Sequence, residues 1–94
     1  MRYFKRKWGE DRGDQFASWG SAIYFFETGP DLVPTRQLEV YANGNRLQYD
    51  QQHKHDKYGM LADQALGTEA DFAPHAISSA EFEQAWASGP ALNA

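Results

Sequence analysis

The sequence predicts an α+β domain: a four-stranded antiparallel meander sheet with a C-terminal helix packed on one face. Three observations carry this. The stretches 2–8 and 21–28 alternate or fill with aromatic and β-branched side chains, as strands do. An Asn43-Gly44 pair separates two alternating stretches, 35–42 and 45–51, which is a strong hairpin signal. Near the end, Ser78 and Glu81 form a capping box ahead of an apolar stripe. Ninety-four residues make one domain, 1–94, with a radius of gyration of about 12 Å. Residues 1–90 form its ordered part, and 91–94 are expected to be a loose tail.

The elements follow in order. In strand 2–8, alternation puts Arg2, Phe4, Arg6 and Trp8 on one face and Tyr3, Lys5 and Lys7 on the other. Residues 9–20 hold three glycines, Asp11, Asp14 and Ser18 and read as a loop carrying Phe16 and Trp19. Strand 21–28 is apolar on both faces, so it is central and covered on each side. Gly29-Pro30-Asp31 is a turn. Closing the hairpin with a two-residue type I′ turn sets Val40 opposite Leu47 and Leu38 opposite Tyr49 on an apolar face. The same register sets Tyr41 opposite Arg46, Glu39 opposite Gln48 and Gln37 opposite Asp50 on a polar, solvent-facing side. Tyr58 to Leu66 fits a short helix with Leu61 and Ala65 on one face. In the last helix, 79–88, Ile77 staples onto Phe82, and Phe82, Ala85 and Trp86 form the stripe that meets the sheet. Gly89-Pro90 ends it.

Charge is unevenly placed. Arg2, Lys5, Arg6 and Lys7 open the chain with no acid among them. Beyond them only Arg12, Arg36, Arg46, Lys54 and Lys57 remain, against all 13 acids. Residues 58–94 contain Asp63, Glu69, Asp71, Glu81 and Glu83 and no Lys or Arg. Such a surface disfavours nucleic acid and anionic lipid and steers a basic protein partner, although acidity also simply keeps small proteins soluble. The absence of cysteine excludes disulfides, thiolate metal sites and cysteine nucleophiles and fits a reducing cytoplasm. No apolar run approaches the about 20 residues that span a bilayer, and the opening residues lack a signal-peptide core.

Few residues point to chemistry. His53 and His55, with His75 further on, are the one metal-like set, set against the plainer reading of a solvated turn. The interleaved cations and aromatics of residues 2–8 resemble a single-strand nucleic-acid surface, or an edge strand guarded by lysines. Arg6, on the presumed core face, is expected to pair with Asp71 or Glu27. Phe16, Trp19 and Tyr41 are the candidate interface aromatics, each of which could equally dock on the core. No nucleophile elbow, phosphate loop, dinucleotide fingerprint or zinc-protease motif occurs. No cofactor is expected, and no catalysis.

Three stretches, at the two ends and in the middle of the chain, carry a resemblance. Met1, Tyr3 and Trp8, then Arg36-Gln37-Leu38-Glu39-Val40-Tyr41 with Gly44, then Ile77-Ser78, Glu81-Phe82-Glu83 and Trp86, resemble a family of small bacterial proteins known as a domain of unknown function. The chain departs from it at Arg6 and through residues 50–72. Members of that family look like immunity proteins of contact-dependent or polymorphic toxin loci. The resemblance implies a cytoplasmic, non-catalytic monomer or weak homodimer. Its partner would be a cognate toxin, and neither nucleic acid nor membrane. The residues expected to meet that toxin are Glu39, Tyr41, Arg46, Gln48 and Asp50 on the polar hairpin face, with Asp63, Glu69 and Asp71 in the acidic segment.

Overall fold

Two layers cover a single sheet from opposite sides. The computed structural model describes all 94 residues, with a radius of gyration of 12.6 Å. Strands β1 (Arg2–Trp8), β2 (Ala22–Thr28), β3 (Pro34–Tyr41) and β4 (Arg46–Tyr49) form an antiparallel meander in the order β1-β2-β3-β4. A two-stranded ribbon, β5 (His55–Asp56) with β6 (Gly59–Met60), follows. Helix α1 (Glu69–Phe72) and helix α2 (Ser79–Ala87) complete the chain. The meander and the terminal helix match the fold class that the sequence predicts.

Helix α2 forms as its sequence directs. The Ser78 hydroxyl accepts from the Glu81 N–H at 3.1 Å, satisfying one of the free donors of the first turn. Phe82 is fully buried against Phe25 and Leu38, with Tyr3, Ile23, Ile77, Ala85 and Trp86 around it. These residues make one face of the sheet, because Tyr3, Ile23, Phe25, Leu38 and Val40 all project to the same side.

The opposite face is also apolar and also covered, which corrects the expected solvent-facing side of the hairpin. The turn is not type I′. Asn43 keeps a negative φ while Gly44 alone sits at 94°, and the Tyr41 N–H donates to Asn45 O at 2.9 Å. The loop is therefore three residues, a turn closed by a glycine bulge, and not two. One extra residue moves the register by one. Val40 lies opposite Arg46, Leu38 opposite Gln48, Glu39 opposite Leu47 and Gln37 opposite Tyr49. Gln37, Glu39 and Tyr41 thus share a buried face with Leu47 and Tyr49, while Arg46 and Gln48 turn towards α2.

Two loops cover this second face. Trp19 and Tyr58 pack against Tyr41, Leu47, Tyr49 and Leu61, and Phe72 and Leu66 pack against Phe4 and Leu32. Gly20 lets the first loop approach: its φ is 83°, and a Cβ there would stand 2.9 Å from that of Ala42. Phe16 and Trp19 dock inward at 4.8 Å between ring centres, so neither is a free surface aromatic.

Three further expectations fail for stated reasons. Tyr58–Leu66 is not helical, because Gly59 takes φ 155° to pair with Asp56 across the β5–β6 ribbon. The short helix comes later, as α1, where Thr68 caps the Asp71 N–H at 3.2 Å. Arg6 pairs with neither expected acid. Glu27 lies on the other face of the sheet, and Arg6 instead stacks over Phe72 at 5.2 Å. The tail 91–94 is not loose: the Leu92 N–H donates to Arg46 O at 2.7 Å, and Asn93 bonds the backbone of Gln48.

Candidate functional site

The residues expected to meet a partner do not form one surface. Glu39 and Tyr41 are core residues, 5% and 3% exposed. Arg46 donates to the Ala85 carbonyl at 2.5 Å and Gln48 to the Trp86 carbonyl at 2.6 Å. Both therefore bond carbonyls in the last turn of α2, Arg46 at Ala85, which also accepts the Ser88 N–H, and Gln48 at Trp86. Asp50 folds the turn after β4, accepting from the N–H groups of Gln52 and His53. Glu69 pairs with Arg2. Asp63 and Asp71 stand exposed, at separate places.

The histidines are not gathered either. His53 Nε2 lies 2.7 Å from Asp56 Oδ2, His55 is exposed on β5, and His75 lies against Phe72. No three His, Asp or Glu side chains stand close enough together to hold a metal ion. The basic opening residues are likewise divided, with Arg2 on Glu69, and Lys5 facing Glu81 at 3.6 Å from the other side of the sheet.

What the structure does build is a two-part cleft on the loop-covered face. Its apolar half, about 290 Å³, is formed by Arg6, Trp8, Tyr24, Phe26, Leu66 and Phe72. Its polar half, about 390 Å³, runs from Trp8 and Tyr24 across to Glu39, Tyr41, Gln37 and Tyr58, under the loop Glu10–Asp14. Trp8 and Tyr24 belong to both halves. Trp8 is 51% exposed, because it ends the edge strand just beyond the reach of the covering loops. Alternation along 2–8 places its indole on this face, but only the tertiary structure shows that nothing closes over it.

Arg12 pins the loop above the polar half. Its guanidinium lies over Phe16, Trp19 and Tyr41 at 4.9–5.9 Å, donates to Asp14 at 3.1 Å and to the Tyr58 carbonyl, and keeps a buried Nη1 with no protein partner. Beneath it, Glu39 accepts from the Tyr41 hydroxyl on one oxygen and from Gln37 Nε2 on the other, at 2.8 Å. Gln37 is fixed in turn by the Ala62 N–H and the Met60 carbonyl. Burial pushes the Glu39 carboxyl above its ordinary value, more strongly than its hydrogen bonds and the Arg12 charge pull it down. Burial and the bond to Glu39 raise Tyr41 in the same way.

No protein-family model matches the chain, and no curated protein or solved structure matches it at a significant level. No helix is long and apolar enough to cross a membrane.

Proposed function

We propose that this chain is an immunity-type protein that binds a cognate bacterial toxin domain in the cytoplasm and neutralises it by occlusion. A basic nuclease is the toxin class its charge fits. The observation that supports this reading best is the cleft. A half-exposed Trp8 stands between an apolar trough and a rim carrying Glu10, Asp11 and Asp14. Tryptophan is among the commonest interface anchors, and an acidic rim steers a basic partner. The resemblance of those three stretches of the chain to immunity-like proteins points the same way. The contact surface in this reading is the cleft, with Asp63 and Asp71 as outlying charges, and not the hairpin.

The test is rescue by co-expression. The C-terminal domain of the protein encoded just upstream is expressed alone and with this chain, and survivors are counted. The expected result is killing by the domain alone and survival with the chain. Trp8→Ala, which removes no core contact, weakens the complex by about tenfold or more. A harmless upstream domain, or killing that the chain does not relieve, overturns the reading.

A further inference from the structure

The two buried carboxylates of the sheet are treated differently. Glu27, on the helix-covered face, has its cation: Arg36 Nη2 lies 2.6 Å away. Glu39, on the cleft face, forms no ion pair. It is the more deeply buried of the two, and no Lys or Arg nitrogen comes within ion-pair distance of it. Arg12 lies nearby and its charge acts on Glu39, but its Nε and Nη2 bond Asp14 and Tyr58 and its buried Nη1 makes no hydrogen bond to Glu39. Each Glu39 oxygen accepts one hydrogen bond, from Tyr41 and from Gln37, and the Tyr24 hydroxyl stands close by, so only neutral donors meet this carboxylate. A buried carboxylate is costly unless paired, and a chain that pairs Glu27 so fully leaves this one facing a cavity.

We propose that the polar half of the cleft is a socket for an organic cation, a guanidinium or ammonium group on a short aliphatic stem. Glu39 forms its floor, and Trp8, Tyr24, Tyr41 and Tyr58 line it; Arg12 already lies over Tyr41 and Lys57 over Tyr58, so Trp8 and Tyr24 are the rings left for an incoming positive charge. Glu10, Asp11 and Asp14 at the rim add negative charge, so four carboxylates line the cavity against the single cation Arg12. Its volume of about 390 Å³ lies within the roughly 300–1,000 Å³ of small-ligand sites. The stem would lead past Trp8 into the apolar half. The occupant is a basic side chain of the partner, and in naming that source the proposal rests on the toxin-binding reading.

The experiment titrates the full chain with ethylguanidinium chloride and with a blocked arginine tripeptide, against sodium chloride at matched ionic strength. Chemical shifts of the Gln37 side-chain amide and the tyrosine rings report binding. Saturable shifts that sodium chloride does not reproduce are expected, and Glu39→Gln lowers the affinity about tenfold or more. Tighter binding of the tripeptide supports a partner's side chain as the occupant, and tighter binding of the free cation overturns that source. Non-saturating shifts shared with sodium chloride, or an affinity unchanged in Glu39→Gln, overturn the socket. If Glu39→Gln does not fold, Trp8→Ala takes its place: weakened binding supports the socket and unchanged binding overturns it. Rescue without cation binding overturns the socket alone. Cation binding without rescue overturns the toxin reading alone.

Discussion

The side-chain amide of Asn93 pairs with the backbone of Gln48 as a further strand would. The Gln48 N–H donates to Asn93 Oδ1 at 2.9 Å, and Asn93 Nδ2 donates back to the Gln48 carbonyl at 3.0 Å. Asn93 Nδ2 also reaches Asp56 Oδ2 at 2.8 Å, and so ties the outer edge of β4 to the β5–β6 ribbon. An uncovered strand edge invites pairing with other chains, and here the C-terminal residues cover it.

Asn93→Ala is therefore expected to cost about 1–3 kcal/mol, since it leaves the Gln48 backbone groups and Asp56 short of partners. Urea titration measures the loss. Hydrogen exchange at the Gln48 amide should accelerate well beyond that of the Phe25 amide in the central strand. An unchanged midpoint would show that the tail contributes nothing.

Asp56 gives stability an acid limit. Burial opposes its charge, but hydrogen bonds from His53, Asn93, the Tyr58 N–H and Tyr49 outweigh burial and hold the carboxyl down at about 2 against an ordinary 3.8. The unfolded chain takes up this proton first as the pH falls. The stabilisation, about 2 kcal/mol, is complete above pH 3.8 and is lost as the pH drops towards 2. Asp56→Asn should flatten this part of the stability–pH profile.

Glu39 carries the opposite sign. Its raised value means that ionising it in the folded chain costs free energy, a cost that appears as the pH rises through 4.5. In Glu39→Gln that decline in stability should be missing, while Asp56 still governs the acid side. A wild-type profile with no decline above pH 4.5 that depends on Glu39 would contradict its burial as a charge.

Arg36 joins helix to sheet. It bonds Glu27 at 2.6 Å and Glu83 at 2.7 Å, and its guanidinium lies 4.8 Å from the Phe82 ring centre and 5.0 Å from that of Trp86. Arg36→Met keeps much of the apolar stem but leaves Glu27 buried without its cation, at a cost of about 2–3 kcal/mol. Arg36→Met with Glu27→Gln should recover a good part of that loss. Simple addition of the two single costs would show that the pair is not coupled.

Phe82 anchors α2 more than Trp86 does. Phe82 is fully buried, whereas Trp86 stacks on it at 5.8 Å and remains partly open to solvent. Phe82→Ala is expected to cost about 3–5 kcal/mol and Trp86→Ala about 1–3 kcal/mol, read from urea midpoints. The reverse ranking would mean that the helix docks through its indole.

The sequence by itself determined the local elements. The alternation of 2–8, the apolar run 21–28, the Ser78 cap and the Phe82–Trp86 stripe each rest on neighbouring residues, and each element stands where those residues place it. Asn43-Gly44 located the hairpin but not its register, because the same dipeptide closes a two-residue turn and a three-residue turn with a glycine bulge. That single residue decided which side chains are buried. It drew Glu39 and Tyr41 into the core and turned Arg46 and Gln48 onto the end of α2. Only the tertiary structure could choose, since the choice depends on Trp19, Tyr58 and Phe72 arriving from distant loops to cover a second apolar face. The cleft follows from the same long-range packing. Trp8 is exposed, and Glu39 has no ion pair, because of where those loops end, which no local pattern in the chain encodes.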